Sequence, residues 1–199
     1  SVWYPCRKGG PFRKWYGNNE FVIDWYRDGY RVIDCAADEE RNCQDYKREW
    51  EFRPSISWTS ISSGEPAFRY GNNSLAESAG MFFVNNDATH ILYTLGLFNS
   101  SVSRSFLKIL APTLNYTAGS IEAIPICFRE NGIERRVSEW SERCVSLSRT
   151  DWDSYETSWD FTNLPLICHQ TLGATLAQAY EAWNCLLYTS PSPRDPKTS

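Results

Sequence analysis

The apolar and polar positions divide the chain into a first half of short strands and a second half of helices. Residues 20–25 and 54–61 are rich in β-branched and aromatic residues and are bounded by turn residues, so we expect strands there. A turn at 62–66 leads to residues 67–70, which we expect to be the returning strand of a hairpin. The apolar run 81–84 predicts a further, buried strand.

The clearest helix is predicted over residues 88–110, because apolar residues recur there at steps of three and four. Its stripe consists of Ile91, Leu95, Phe98, Val102, Phe106 and Ile109. Asn85, Asn86 and Asp87 supply candidate N-caps, and Pro112 ends the pattern. Two shorter stripes predict helices from Ile133 to Leu147 and from Leu172 to Trp183.

Two other segments are less regular. Residues 36–49 are highly charged with mixed signs and predict an exposed helix or an ordered loop. Residues 121–126 hold a proline inside an apolar run, which favours an edge strand or an extended segment. The predicted fold class is therefore α+β. A small, mainly antiparallel sheet, formed by residues 20–84 and 121–126, packs on the 88–110 helix, and a helical C-terminal portion follows.

The last residues differ in kind from the rest. Residues 186–199 are rich in Ser, Pro and Thr, and residues 185–195 resemble translated sequencing-adapter read-through. We therefore expect a disordered tail that takes no part in the fold. The chain begins at Ser1 without Met, and we interpret it as a piece of a longer protein.

A basic, aromatic segment lies near the start of the chain, and we call residues 3–19 the basic segment. Its four cations alternate with five aromatic residues and three glycines, and the first acidic residue is Glu20. The whole chain has a net charge of −4, so residues 1–19 carry +4 and the remainder carries −8. A basic, aromatic segment in an otherwise acidic chain is typical of either of two structures. One is a surface that binds the phosphate backbone of a nucleic acid and stacks on its bases, and the other is a solvated loop.

The predicted DNA contacts are taken from the basic segment and from the hairpin. Long cations suit phosphates, amides can pair with adenine in the major groove, and aromatic rings can wedge or stack. The phosphate candidates are Lys8, Arg13 and Lys14; the base-edge candidates are Asn18 and Asn19; the stacking candidates are Trp15 and Tyr16. In the hairpin, Ser60, Ser62, Ser63 and Arg69 are secondary candidates.

Three stretches carry a family resemblance. The first runs from Trp3 through Gly-Gly-x-Phe-Arg-Lys-Trp-Tyr-Gly-Asn, which ends at Asn18. The second joins Ser-Trp-Thr-x-Ile-Ser-Ser-Gly at 57–64 to Pro-Thr-Leu-Asn and Ile-Pro-Ile at 112–126, and the third is Asp-Trp-Asp-Ser-Tyr-Glu-Thr-Ser-Trp-Asp-Phe at 151–161. Together they resemble the C-terminal part of the PglX-type adenine-specific DNA methyltransferases of BREX phage-defence systems, over roughly residues 2–185.

The resemblance implies a parent enzyme that uses S-adenosylmethionine to methylate adenine in double-stranded DNA, with the target base flipped out of the duplex. The family's Asn-Pro-Pro-Tyr and glycine-rich motifs are not in this chain, which has no Pro-Pro pair and no Gly-x-Gly. Residues 1–130 then correspond to a target-recognition region, and residues 131–185 to the start of a helical region. The implied partners are DNA, the upstream methyltransferase domain and other BREX subunits.

Two other functions are compatible with the residues. The helical stripes predict a structural or interaction module that docks on the methyltransferase core or on other subunits. An independent enzyme would need Cys168 and His169, or the acidic residues of 151–160, as its active groups, but adjacent side chains usually point apart and acidic clusters also serve as helix caps. We therefore expect this chain to carry no catalytic residue, no cofactor site and no metal site of its own.

The seven cysteines are scattered, odd in number and without a CxxC pair, so they indicate a reducing, cytoplasmic environment rather than a disulfide framework. A zinc site built from Cys127, Cys144, Cys168 and His169 fits no common ligand spacing. No apolar run approaches the length that spans a bilayer, and no secretory signal precedes the first strand.

Overall fold

The computed structural model describes residues 2–33, 51–62, 64–76, 80–84, 87–128, 132–168 and 175–188. In this part of the chain, strands dominate up to residue 84 and helices dominate from residue 88. The strands are β1 (Trp3–Arg7), β2 (Phe21–Asp24), β3 (Ser55–Thr59), β4 (Phe68–Gly71), β5 (Leu75–Ala76) and β6 (Gly80–Val84). The helices are α1 (Tyr26–Ile33), α2 (Ala88–Phe98), α3 (Ser101–Leu110), α4 (Ala118–Glu122), α5 (Ile133–Trp152), α6 (Pro165–Cys168) and α7 (Leu176–Tyr188).

The strands form two small three-stranded sheets. In the first, β1 lies between β2 and β5, antiparallel to β2 with Trp3 opposite Asp24, and parallel to β5 with Cys6 opposite Leu75. In the second, β3 lies between β4 and β6 and is antiparallel to both. The predicted hairpin is confirmed, since Trp58 of β3 faces Phe68 of β4. The α+β class with mainly antiparallel pairing is confirmed as well.

The core lies between the second sheet and α2. Both faces of β3 are buried from Ser55 to Trp58, so this central strand is covered on each side. Phe68 contacts Trp58 and Phe98, with ring centroids 5.9 and 5.0 Å apart. The buried indole N–H of Trp58 donates to the Tyr116 carbonyl at 2.9 Å, which satisfies its polar end.

The predicted helix over 88–110 is in fact two helices. Asn99 ends α2, and its side-chain amide makes two hydrogen bonds with the Phe68 backbone, at 3.2 and 3.0 Å. Ser100 then caps α3 by accepting from the Ser103 amide. The amide of Asn99 thus bonds to β4 as a peptide group would, and the chain turns there. The first half of the apolar stripe is buried, whereas Ile109 in the second half is 79% exposed.

The other main helix, α5, has the predicted position but a different inner face. Trp140 of the predicted stripe is 60% exposed, and the buried side is made of small residues, namely Ser138, Ser141, Val145 and Ser148. A Cβ at Gly96 of α2 would lie 2.5 Å from the Ser141 Oγ, so the two helices approach closely. Small residues allow this approach, because a large side chain at the contact would hold the helix axes apart.

Two further expectations were wrong. Residues 121–126 form no strand, because Thr117 caps the helix α4, which includes Ile121 and Glu122. The third predicted helix exists, but α7 extends to Tyr188 and therefore includes the first residues of the expected tail. The charged segment 36–49, the candidate caps Asn85 and Asn86, and residues 189–199 lie outside the described residues.

Candidate nucleic-acid interface

The basic segment is fastened to the hairpin at two places. The hydroxyl of Thr59 accepts from the Gly10 amide and donates to the Gly10 carbonyl, both at 3.0 Å. Trp15 extends the second sheet by one residue, because its amide donates to Phe68 O and its carbonyl accepts from the Tyr70 amide, both at 2.8 Å. The segment is therefore held against the end of β3 and the edge of β4.

Arg13 faces inward. Its Nη1 lies 3.0 Å from Asp151 Oδ2 at the end of α5, and both side chains are nearly buried, at 12% and 8% exposure. The guanidinium also lies over the Trp152 ring, 4.9 Å from the centroid. Gly17 has a φ of +123°, and a Cβ there would lie 2.2 Å from Arg13 Cδ, so a glycine is required beside this contact.

Tyr16 and Asn18 also point into the protein. Tyr16 belongs to the core cluster, burial raises the pKa of its hydroxyl, and the Arg149 guanidinium lies 4.6 Å from its ring centroid. Asn18 is buried in a left-handed conformation, and its Nδ2 donates to the Pro11 carbonyl at 3.0 Å. Asn19 is half-buried and hydrogen-bonds Tyr16.

Lys14 has different neighbours from Arg13: its Nζ lies 6.0 Å from the Phe12 ring centroid, and the charges that act on it are those of Arg104 and Glu65. It is half-buried, and its pKa is lowered first by that burial and then by the nearby charge of Arg104. Arg104 of α3 pairs with Glu65 at 2.9 Å, and Glu65 partly offsets the effect on Lys14. Lys8 is exposed, with its Nζ 5.4 Å from the Phe21 ring centroid.

The predicted hairpin candidates are divided between surface and interior. Ser60 and Ser62 are half-buried near the turn, where the Ser62 hydroxyl accepts from the Gly64 amide at 3.3 Å. Arg69 is 2% exposed and donates to the Thr59 hydroxyl at 3.4 Å. Ser63 lies outside the described residues.

The structure therefore separates the predicted site residues into two groups. The outer group, comprising Lys8, Lys14, Asn19, Ser60 and Ser62, retains accessible surface, whereas Arg13, Tyr16, Asn18 and Arg69 are engaged within the fold. Trp15 is half-buried, with its backbone committed to β4.

Arg104 was missed by the sequence reasoning. It lies off the predicted apolar stripe, which indicated only that solvent would receive it. No spacing in the sequence relates position 104 to position 14, since their proximity depends on how α3 leaves the Asn99 break. A cationic pair formed by Lys14 and Arg104 is thus a product of the tertiary fold.

The other chemical candidates have structural partners. Asp151 pairs with Arg13, and Asp153 accepts from the Ser158 hydroxyl at 2.6 Å, while burial raises the Asp153 pKa. His90 lies in α2, and Asp87 caps this helix by accepting from the Thr89 and His90 amides. Within the described ranges, no group of three or more His, Cys, Asp or Glu side chains is placed to hold a metal ion.

The fold and this surface define an α+β segment in which a basic, aromatic loop is clamped between a hairpin and a long helix. No protein-family model matches the chain. It is 36% identical over 190 residues to the adenine-specific methyltransferase PglX of Lacticaseibacillus casei (strain Zhang), covering 92% of this chain and 16% of that protein. It is 31% identical over 173 residues to the adenine-specific methyltransferase BrxX of Escherichia coli O9:H4 (strain HS), covering 85% and 13%.

These similarities support a relationship to adenine-specific methyltransferases of the PglX/BrxX type over most of this chain. The chain spans about one-sixth of the length of the PglX relative and less of BrxX. Among the helices that the structure describes, none combines the length and the apolar composition needed to cross a membrane.

Proposed function

We propose that this chain is a segment of an S-adenosylmethionine-dependent, site-specific adenine DNA methyltransferase of a phage-defence system, and that the segment binds and positions double-stranded DNA. The similarity to two adenine-specific methyltransferases supports the parent activity. The chain itself has neither the Pro-Pro pair nor the Gly-x-Gly that the family's catalytic and cofactor motifs need. Cofactor binding and methyl transfer therefore belong to other parts of the parent.

The observation that carries the DNA-binding role is the convergence of Lys14 and Arg104 beside the hairpin turn. Burial and then the Arg104 charge lower the Lys14 pKa, and Glu65, which pairs with Arg104, offsets only part of this effect. A DNA phosphate bound beside Lys14 would favour its charged form. Lys8 extends the cationic surface along the same loop, and long cations that release counterions give DNA affinity without sequence preference.

Sequence readout is assigned to a different set of residues. Phosphate contacts fix the register of a protein on DNA, whereas base edges are read by short polar side chains that enter a groove. The base-edge candidates that keep accessible surface are Asn19, at the end of the basic segment, and Ser60 and Ser62 in the hairpin. The cations of the basic segment then position the duplex, and these short polar side chains read it.

The test is a gel-shift titration of a cognate duplex with the complete methyltransferase, at several salt concentrations. Lys14→Ala and Arg104→Ala should each weaken binding about equally on all sequences and reduce the salt slope by about 1. Arg136→Ala is the matched control, because Arg136 is an exposed arginine on another helix, α5. Unchanged affinity and slope in both test variants would disprove the assigned surface.

A second candidate function is a docking module for the upstream methyltransferase domain or for other defence-system subunits. The exposed apolar side of α3, formed by Val102, Phe106 and Ile109, favours it. In this case Ile109→Asp should weaken binding of the segment to the separately purified methyltransferase domain, measured after nuclease treatment, while Lys14→Ala leaves it unchanged. The two functions are compatible if they use different sides of the segment.

A further inference from the structure

Two arginines are buried at the junction of the two sheets. Arg7, at the end of β1, is 4% exposed, and Arg69, in β4, is 2% exposed. They are close enough that the charge of Arg7 adds to burial in lowering the Arg69 pKa to about 10, and burial lowers the Arg7 pKa to about 10 as well. Two like charges are thus enclosed together.

Neither guanidinium has an anionic partner in the described part of the chain. By contrast, Arg13, Arg104 and Arg135 each pair with a carboxylate. Arg7 Nε donates to Ser74 Oγ at 2.6 Å, but its Nη1 is buried without a hydrogen-bond acceptor. Buried charges are ordinarily paired, because transferring an ion out of water is very unfavourable. The missing element is an anion.

The surroundings hold these donors in place. A Cβ at Gly71 would lie 2.0 Å from Arg7 Cζ, so the guanidinium rests directly on the β4 backbone. Arg69 Nη2 donates to Thr59 Oγ1, and the same hydroxyl holds both backbone groups of Gly10. Gly10 is therefore fastened through the hydroxyl that Arg69 also uses.

We propose that Arg7 and Arg69, with Thr59 and Gly10 beside Arg69, form an oxyanion site that binds a single phosphate group. Guanidinium forks match phosphate oxygens, and two adjacent forks suit a tetrahedral anion better than a carboxylate, which engages one. Displacement of Gly10 from Thr59 opens the site, and the conformational freedom of glycine at positions 9 and 10 permits it. The phosphate is either free phosphate or a phosphate of DNA, and the DNA source rests on the proposed function.

The direct test is calorimetric titration of the 199-residue chain with inorganic phosphate, with chloride keeping the ionic strength constant. Saturable binding is expected, and Arg69→Met should weaken it at least about tenfold, because a hydrogen-bonded charge pair is lost. Arg135→Met is the control, since this exposed arginine pairs with Glu139 on α5. The absence of saturable binding, or full binding by both Arg7→Met and Arg69→Met, overturns the proposal.

A stability measurement keeps the test decisive if a variant binds poorly for another reason. In chloride, Arg7→Met should have a higher Tm than the wild type, because the variant removes a charge that lacks its anion. In phosphate, only the wild type should gain further, with a Tm that rises with phosphate concentration. A variant that unfolds in chloride would show that the buried charge is already compensated and would reject the site.

The source of the phosphate is decided by competition with duplex DNA. If a DNA phosphate occupies the site, inorganic phosphate will displace the duplex more than chloride of equal ionic strength, and Arg69→Met will abolish the difference. If displacement is equal, the site takes free phosphate. Failure of the DNA-binding role would instead appear as insensitivity to Lys14→Ala and Arg104→Ala, with phosphate binding intact.

Discussion

Arg13 and Lys14 are adjacent in the chain, yet they belong to two sides of the basic segment with different charged neighbours. On the inner side, Arg13 is enclosed by Asp151 and Trp152. On the outer side, Lys14 lies near another cation, Arg104, and keeps part of its surface in solvent. A run of cations in sequence therefore contains both a structural clamp and a candidate ligand surface, and charge counting does not separate them.

The inner side joins the two halves of the molecule. Arg13 lies between β1 and β2 in the chain, and Asp151 lies 138 residues later at the end of the long helix. This contact orients the basic segment against α5, so the position of Lys14 depends on a buried ion pair that itself contacts no DNA. The two sides therefore differ in their charge environment, but the position of the outer side depends on the ion pair of the inner side.

The strongest test of this difference is removal of the inner carboxylate. Asp151→Ala should lower the free energy of unfolding by about 3 to 5 kcal/mol, because it leaves the Arg13 charge buried and unpaired. Urea denaturation of the chain, followed by circular dichroism, measures the change. Glu139→Ala removes the partner of an exposed arginine and should cost less than about 1 kcal/mol. Equal losses of stability in the two variants would show that the Arg13–Asp151 pair stabilises the fold no more than an exposed ion pair does.

A smaller loss is expected at the glycine beside the clamp. Gly17→Ala should cost about 1 to 3 kcal/mol, since its φ of +123° is unfavourable for an L-residue and its Cβ would meet Arg13. Gly119→Ala in α4 is the control, because nothing lies within 4 Å of a Cβ there. Helix propensity predicts that the control gains up to about 1 kcal/mol. The comparison uses the same urea denaturation, and a neutral Gly17→Ala would show that the inner side is loosely packed.

Substitutions on the outer side should weaken DNA binding and leave the stability of the fold nearly unchanged. The double substitution of Lys14 and Arg104 by Ala should reduce the salt slope of DNA binding by about 2. Its free energy of unfolding should stay within about 0.5 kcal/mol of the wild type, as for ordinary surface changes. Gel shifts and urea denaturation on the same preparations measure the two quantities. A large loss of stability with an unchanged salt slope would show that these cations stabilise the fold, as the Arg13–Asp151 pair does, and do not bind DNA.

The smallest expected effect concerns the titration of Lys14. Its pKa is lowered from 10.5, so between that lowered value and 10.5 the folded chain binds fewer protons than the unfolded chain. The contribution of Lys14 to stability therefore rises with pH through this window. Tyr16, with a pKa raised above 10.0, contributes in the opposite direction above pH 10.

Arg104→Ala should raise the Lys14 pKa toward 10.5 and flatten this rise, since the second cause of the shift is removed and Glu65 is released. Nuclear magnetic resonance of labelled lysine side chains measures the pKa directly, and Lys108→Ala on the same helix is the control. A pKa that does not move would show that Arg104 and Lys14 are not neighbours in solution.

Local sequence patterns predicted the strands and helices more reliably than they predicted which face of each element is buried. The hairpin at 54–70 and the helix from Ile133 were read correctly, because strand and helix periods are set by backbone geometry. The break at Asn99 was missed, although an Asn followed by Ser is a plausible cap. The reason is that the break depends on hydrogen bonds to Phe68, which lies 31 residues away.

By itself, the sequence determined the α+β class, the central hairpin, the main helices and the resemblance to PglX-type methyltransferases, because propensity, period and motif are properties of neighbouring residues. Only the tertiary structure decided which cations face inward. Arg13 pairs with Asp151, and the charges of Arg104 and Arg7 act on Lys14 and on Arg69, across separations in sequence that carry no periodic signal. The free energy of a charge depends on burial and on its partners, and both are set by packing.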